Sequence, residues 1–125
     1  MTSPAAPTPP PAPTVVAVAL IATPVYKAAY TGLLKAFLDL YGNDGLAGVV
    51  AVPLVVSGNP AHALAGEVHL RPVLVELGAV VPARSLAVTE SQLADLDGVI
   101  EDWLDRAGEP LRRATNLARV EEVAR

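Results

Sequence analysis

A near-continuous apolar run, Val15 to Ala22, stops at Thr23-Pro24, and a helical pattern begins near Leu33. Aliphatic runs of this kind are the signature of strands buried on both faces, as in parallel sheets. A strand that ends at a Thr-Pro turn and feeds a helix is half of a parallel βαβ unit. In such sheets the ligand crevice lies beyond the carboxyl ends of the strands. The segment Thr23-Pro24-Val25-Tyr26-Lys27-Ala28-Ala29-Tyr30-Thr31-Gly32 therefore stands where a site is expected.

The rest of the chain alternates in the same way. Val49–Val56 repeats the aliphatic run, and Ala79–Val81 or Arg84–Val88 supplies a third, weaker strand. Between the first two, Leu33, Leu34, Phe37, Leu38 and Tyr41 recur at helical spacing, and Gly42-Asn43-Asp44-Gly45 ends the helix. A second helix starts at Asn59, a cap, with Pro60 in the first turn. Its apolar face comprises Leu64, Val68, Leu70, Val73, Leu74 and Leu77, and Gly78 stops it. Pro72 inside this pattern predicts a break or kink. Thr89 and Gln92 form a capping-box start for a third helix with Leu93, Leu96, Val99, Ile100, Trp103 and Leu104 as its buried stripe.

The order strand–helix–strand–helix–strand–helix predicts an α/β fold with a parallel sheet. Residues 1–13 hold six of the chain's twelve prolines and read as a disordered tail. Residues 14–108 read as the folded domain, and residues 109–125 as a C-terminal surface helix or frayed tail. Three strands make a narrow sheet, and Val15–Ala22 falls at its margin, where an apolar edge invites association.

Composition excludes several functions. The formal net charge is −4 with no basic block, so no nucleic-acid partner is expected. Without cysteine there is no disulfide, thiolate metal site or thiol nucleophile. No His, Asp and Glu stand at metal-ligand spacing, and no Ser–His–Asp arrangement emerges. Val15–Ala22 is far shorter than the roughly 20 residues needed to span a bilayer, and no Lys or Arg precedes it. No membrane partner is expected, and the chain reads as cytoplasmic.

The wording of the first turn resembles the NAD(P)H-dependent FMN reductases, in particular the branch that supplies reduced flavin to alkanesulfonate monooxygenases. Thr23 to Gly32 matches without a gap, and Leu33-Leu34-Lys35-Ala36-Phe37-Leu38-Asp39 continues it. Gly48 to Pro53 looks like the family's next strand. Ser57-Gly58-Asn59-Pro60-Ala61-His62 sits where a Thr-Gly-Gly-type turn with a following His is usual. Arg71-Pro72-Val73-Leu74 resembles the family's basic-residue-then-proline step, and Leu77-Gly78-Ala79 fits the end of that helix. The quinone and azo reductases write the first turn as Thr-Pro-Glu-Tyr-Asn, from which Val25 and Lys27 depart.

The resemblance covers about Val15 to Gln92, the carboxyl-terminal half of a family member. It implies a flavodoxin-like three-layer α/β/α fold, here incomplete, with about three parallel strands and three to four helices. It also implies FMN and NADPH or NADH as cofactors, a flavin-dependent monooxygenase as partner, and a homo-oligomer. On that basis Thr23, Pro24, Val25, Tyr26, Lys27, Ser57, Gly58 and Asn59 are the cofactor-binding candidates. The amides at Val25–Lys27 would meet the polar edge of the isoalloxazine, and Gly58 would let backbone approach the ring. Lys27 is either a charge beside the reduced flavin or a solvated turn residue. Tyr26 either covers the ring or packs at a helix edge. Tyr30 marks the family's subunit contact, sometimes with a widened helical turn, or is an ordinary half-buried tyrosine. His62 reads as a capping or surface residue, His69 as a surface residue. No side chain is a catalytic candidate, because hydride transfer is the cofactors' own chemistry.

The family grips the FMN phosphate with a Ser/Thr/Arg loop after its first strand, at a helix amino terminus. No such loop stands in this sequence. Losing three charge-assisted hydrogen bonds weakens binding by about 5–9 kcal/mol, a thousandfold to a millionfold. The sequence thus predicts an FMN reductase-like chain that is a poor flavin enzyme by itself. Two alternatives stand beside it: a non-catalytic half-domain that assembles with another chain, and a quinone or azo reductase.

Overall fold

A computed structural model describes residues 18–124, and side chains as far as residue 116. The proline-rich segment 1–13 and the start of the first apolar run lie outside the described residues. Three strands, β1 (Val18–Pro24), β2 (Val50–Ser57) and β3 (Leu86–Thr89), form one parallel sheet in the order β1-β2-β3. Three α-helices alternate with them: α1 (Gly32–Leu38), α2 (Arg71–Glu76) and α3 (Leu96–Ala124). This is the α/β architecture expected from the sequence.

Strand order never reverses, so right-handed crossovers put the two connecting helices on one face. There Leu38 of α1 and Leu74 of α2 close over Val49 and Ala51, with Leu46, Leu70 and Ala79, and with Ala19 and Ile21 at the margin. Residues of the opposite parity line the other face, where Val52, Leu86 and Val88 are buried. There α3, which follows the last strand, is the helix that touches β2 and β3.

Pro53 interrupts a central strand, a position where a missing amide proton normally breaks the ladder. The neighbouring chain accommodates it. Val80 bridges β2 through Ala51 N–H to the Val80 carbonyl and Val80 N–H to the Val49 carbonyl. The chain then leaves the sheet and returns at Leu86, opposite Leu54. Pro53 faces the gap between these two contacts. Both candidates for the third strand therefore hold a share: Val80 a single bridge, Leu86–Thr89 the strand itself.

The excursion 81–85 is secured by an ion pair. Arg71 donates Nε to Glu67 Oε2 at 2.7 Å and reaches the carbonyls of Val81 at 2.7 Å and Ala83 at 2.6 Å. Glu67 Oε1 accepts the Ser85 amide at 2.5 Å. The guanidinium beside it holds the Glu67 carboxyl at about 2, well below the usual carboxylate range, and the Ser85 amide adds to this.

The break expected near Pro72 takes a specific form. Residues Gly66–Leu70 make a widened π-turn ahead of α2, with Arg71 N–H bonding the Gly66 carbonyl. Pro72 then sits in the first turn of α2, where it needs no donor. Gly66 allows this turn to lie on Ser85, since a Cβ there would stand 2.8 Å from the Ser85 Cβ.

Tyr30 precedes the regular helix α1 and packs half-buried at the edge of the core, while the widened turn lies at Gly66–Leu70. One expectation is corrected. The stripe assigned to the third helix is only partly covered: Leu93, Leu96 and Leu104 are exposed, while Val99, Ile100 and Trp103 are half-buried. Periodicity identified the helical face, but the narrow sheet offers too little surface to cover it. Among the described residues no helix is long and apolar enough to cross a membrane.

Candidate functional site

Register decides which turns meet. Thr23 lies opposite Val55 and Pro24 opposite Val56, so β1 and β2 end within a residue of each other. The turn that begins at Thr23 and the turn Ser57-Gly58-Asn59 consequently leave the same end of two neighbouring parallel strands. Strand spacing alone puts their starts about 5 Å apart. The two segments that the sequence singled out separately share one rim.

The first turn is a small hairpin. Val25 extends the ladder by donating its amide to the Val56 carbonyl at 2.9 Å. Tyr26 and Ala29 then exchange both backbone hydrogen bonds, at 2.9 and 3.2 Å. The two residues between them, Lys27 and Ala28, adopt left-handed conformations with φ of 53° and 64°. Two consecutive left-handed residues define the turn that suits a tight hairpin, normally occupied by Asn-Gly. Neither Lys nor Ala is at ease there, at a cost of roughly 1–2 kcal/mol per residue.

Geometry redistributes the amides expected to meet a ring. Those of Val25 and Tyr26 are taken internally, whereas Lys27 and Ala28 make no backbone hydrogen bond among the described residues. Ala28 thus joins Lys27 as an amide free to meet a ligand, which sequence reasoning missed. No glycine or asparagine announces the turn. Tyr26 is 63% exposed, and Lys27 and Ala28 are also open to solvent.

Thr23 anchors this hairpin and is only 3% exposed. Its hydroxyl donates to the Pro24 carbonyl at 2.7 Å and accepts the Thr31 amide at 3.2 Å. Thr31 in turn caps α1, its side chain accepting the Leu34 amide at 3.1 Å. Strand end, hairpin and helix start are therefore one hydrogen-bonded unit.

The second turn is held equally firmly. Ser57, buried, donates its hydroxyl to the Asn59 carbonyl at 2.9 Å. Asn59 accepts the Ala61 amide at 2.8 Å and starts the short helical turn Pro60–His62. Gly58 is exposed, and a Cβ built on it would meet nothing within 4 Å. The space above Gly58 is open, as a site for a flat ring requires. His62 and His69 are exposed on their helical turns.

Beside this rim, Ser57, Pro60, Ala63, Thr89, Ser91 and Gln92 line a hollow of about 420 Å³ between the ends of β2 and β3. Gln92 accepts the Thr89 amide at 2.9 Å, so the capping box read from the sequence is present. No group of His, Asp and Glu among the described residues is placed to hold a metal ion.

Comparison with known proteins identifies the family. The model of a family described as NADPH-dependent FMN reductase matches residues 16–93. An FMN reductase (NADPH) of Escherichia coli K12 is 45% identical over 76 residues, which cover 61% of this chain and 40% of that protein. Another from Pseudomonas putida KT2440 is 38% identical over 79 residues, covering 63% and 40%. Among solved structures, the apo form of the NADH:FMN oxidoreductase EmoB superposes with a TM-score of 0.61 at 40% identity, covering 83% of this chain and 52% of that one. The chain thus spans about 40% of these two curated relatives. The three-stranded sheet is an incomplete flavodoxin-like fold.

Proposed function

From a chain that belongs to the NADPH-dependent FMN reductase family, we propose the isoalloxazine-holding part of an NAD(P)H:FMN reductase. The observation that carries this reading is the register that sets the Thr23–Tyr30 and Ser57–Asn59 turns side by side at the carboxyl end of the sheet. The residues fit a flat, polar-edged ring. Lys27 and Ala28 offer free amides, Gly58 leaves space above the backbone, and Thr23 and Ser57 hold both turns in place.

Bound there, FMN supplies the hydride-accepting chemistry, with NADPH or NADH as donor. The chain's own residues position and shield. Pro24 and Val25 fix the direction of the hairpin, and Tyr26 lies exposed beside it, available to cover one side of the ring. Lys27 brings a cation that favours a reduced, anionic flavin and the nicotinamide phosphates. With FMN held there, the chain would serve a flavin-dependent monooxygenase as its partner.

Adding the chain to FMN and following flavin fluorescence and NADPH oxidation tests this reading. Saturable quenching supports it; its absence removes it.

A second reading rests on a different observation. Among the described residues β1 pairs with β2 alone, and Leu20 on its face is 62% exposed. A hydrophobic strand with one free edge is suited to pairing with another chain. In that reading the half-domain becomes complete only in an assembly, as a homo-oligomer or with a separate partner. Sedimentation velocity distinguishes them: a stable monomer at tens of micromolar rules out self-pairing.

A further inference from the structure

Away from the rim, a second hollow of about 370 Å³ lies between the segment 82–87 and α3. Its wall includes Arg84, Gln92, Asp102, Trp103 and Arg106, with Val99, Leu86 and Ala107 as apolar floor. None of Thr23–Tyr30 or Ser57–Asn59 lines it, and Ala87 and Gln92 border both hollows.

Its charge distribution is unusual for this chain. Lys35, Arg71, Arg112 and Arg113 each pair with a carboxylate. Among the described residues Lys27, Arg84 and Arg106 lie within ion-pair distance of none, although the chain is acidic overall. The two arginines both line this one hollow. Trp103, the only tryptophan, belongs to the same wall and is half-buried. Its indole N–H donates to the Arg84 carbonyl at 2.8 Å, which locks the ring and ties α3 to the segment that carries Arg84.

A fixed aromatic wall, apolar lining and two guanidinium groups without an ion-pair partner among the described residues make a defined recognition chemistry. Guanidinium forks suit carboxylates, and an indole suits a flat apolar body. The volume is that of a small-molecule site. We propose that this hollow binds a small aromatic monocarboxylate, its ring against Trp103 and its carboxylate between Arg84 and Arg106. Asp102 in the same wall opposes the ligand's charge and sets an upper limit on affinity.

Trp103 provides its own probe. Benzoate titrated into the full chain is expected to change tryptophan emission saturably, with a dissociation constant in the millimolar range. Benzamide, alike in shape but neutral, should bind about fivefold or more weakly. Arg84→Gln and Arg106→Gln should each weaken benzoate about three- to tenfold, as exposed charge-assisted bonds do. Asp102→Asn should tighten it by a similar factor. Benzoate should also raise the melting temperature of the natural chain more than that of the double arginine variant. No saturable change up to about 50 mM, equal binding of benzamide, or indifference to both arginine variants overturns the proposal.

Discussion

The Thr23 hydroxyl accepts the amide of Thr31 across eight residues, at 3.2 Å, while donating to the Pro24 carbonyl at 2.7 Å. One buried side chain thereby joins the end of β1 to the cap of α1 and encloses the hairpin at the rim.

Replacing Thr23 with Val keeps the shape and removes both bonds. The Thr31 amide then loses its partner in a part-buried position, a cost of about 1–3 kcal/mol. Urea unfolding of the Thr23→Val variant should show that loss, and Thr23→Ser should restore most of it. Equal midpoints for Val and the natural residue would mean that the hydroxyl ties nothing together.

The Glu67–Arg71 pair predicts a pH dependence of definite sign. Folding lowers the Glu67 pKa to about 2, from about 4.5 for a free glutamate side chain. The unfolded chain therefore binds more protons in this interval, and stability falls as pH falls. Glu67's contribution is complete above about pH 5 and is lost progressively as pH falls toward 2. Stability measured by urea between pH 6 and 2.5 should follow this slope. Glu67→Gln should flatten it, and an unchanged slope would contradict the assignment.

Arg71 does more than balance a charge, because it also holds the Val81 and Ala83 carbonyls where the chain detours past Pro53. Arg71→Met should cost about 2–4 kcal/mol, since Glu67 and two carbonyls lose their partner together. Arg71→Lys should recover only part, a single ammonium being unable to reach three acceptors with fork geometry. Equal stability of the Lys and natural chains would sink this account.

Gly66 is a packing requirement rather than a hinge. Gly66→Ala places a methyl 2.8 Å from the Ser85 Cβ and 2.9 Å from its Oγ, and overpacking of this kind costs about 1–3 kcal/mol. Ser85→Gly in the same chain removes both atoms and should recover part of the loss in a double-mutant cycle. Additive effects would show that the two residues do not touch.

Much of this was readable from residues. The two aliphatic runs marked β1 and β2, the third strand was narrowed only to 79–81 or 84–88, and Asn59, Thr89 and Gln92 marked two helical starts, because cap chemistry is local. Other features depend on what lies opposite. Nothing adjacent to Pro53 says that its neighbour strand is interrupted there. The left-handed pair Lys27-Ala28 carries no glycine or asparagine to betray it. The i,i+4 spacing of Glu67 and Arg71 was a visible signal, yet their grip on the 81–85 segment is a tertiary fact. Leu93, Leu96 and Leu104 show the converse: helical spacing marks a face without guaranteeing a surface to bury it.

The proposed rim of Thr23–Tyr30 and Ser57–Asn59 would hold a flavin by its ring. The direct test titrates the protein into dilute FMN and into dilute riboflavin, which lacks the phosphate, and follows flavin fluorescence. The account predicts saturable quenching of both, with dissociation constants near a millimolar and within about threefold of each other, a difference under about 1 kcal/mol. Gly58→Val, whose side chain would enter the open space above the turn, should weaken both alike. Absence of saturation, tight binding of FMN alone, or indifference to Gly58→Val would contradict it.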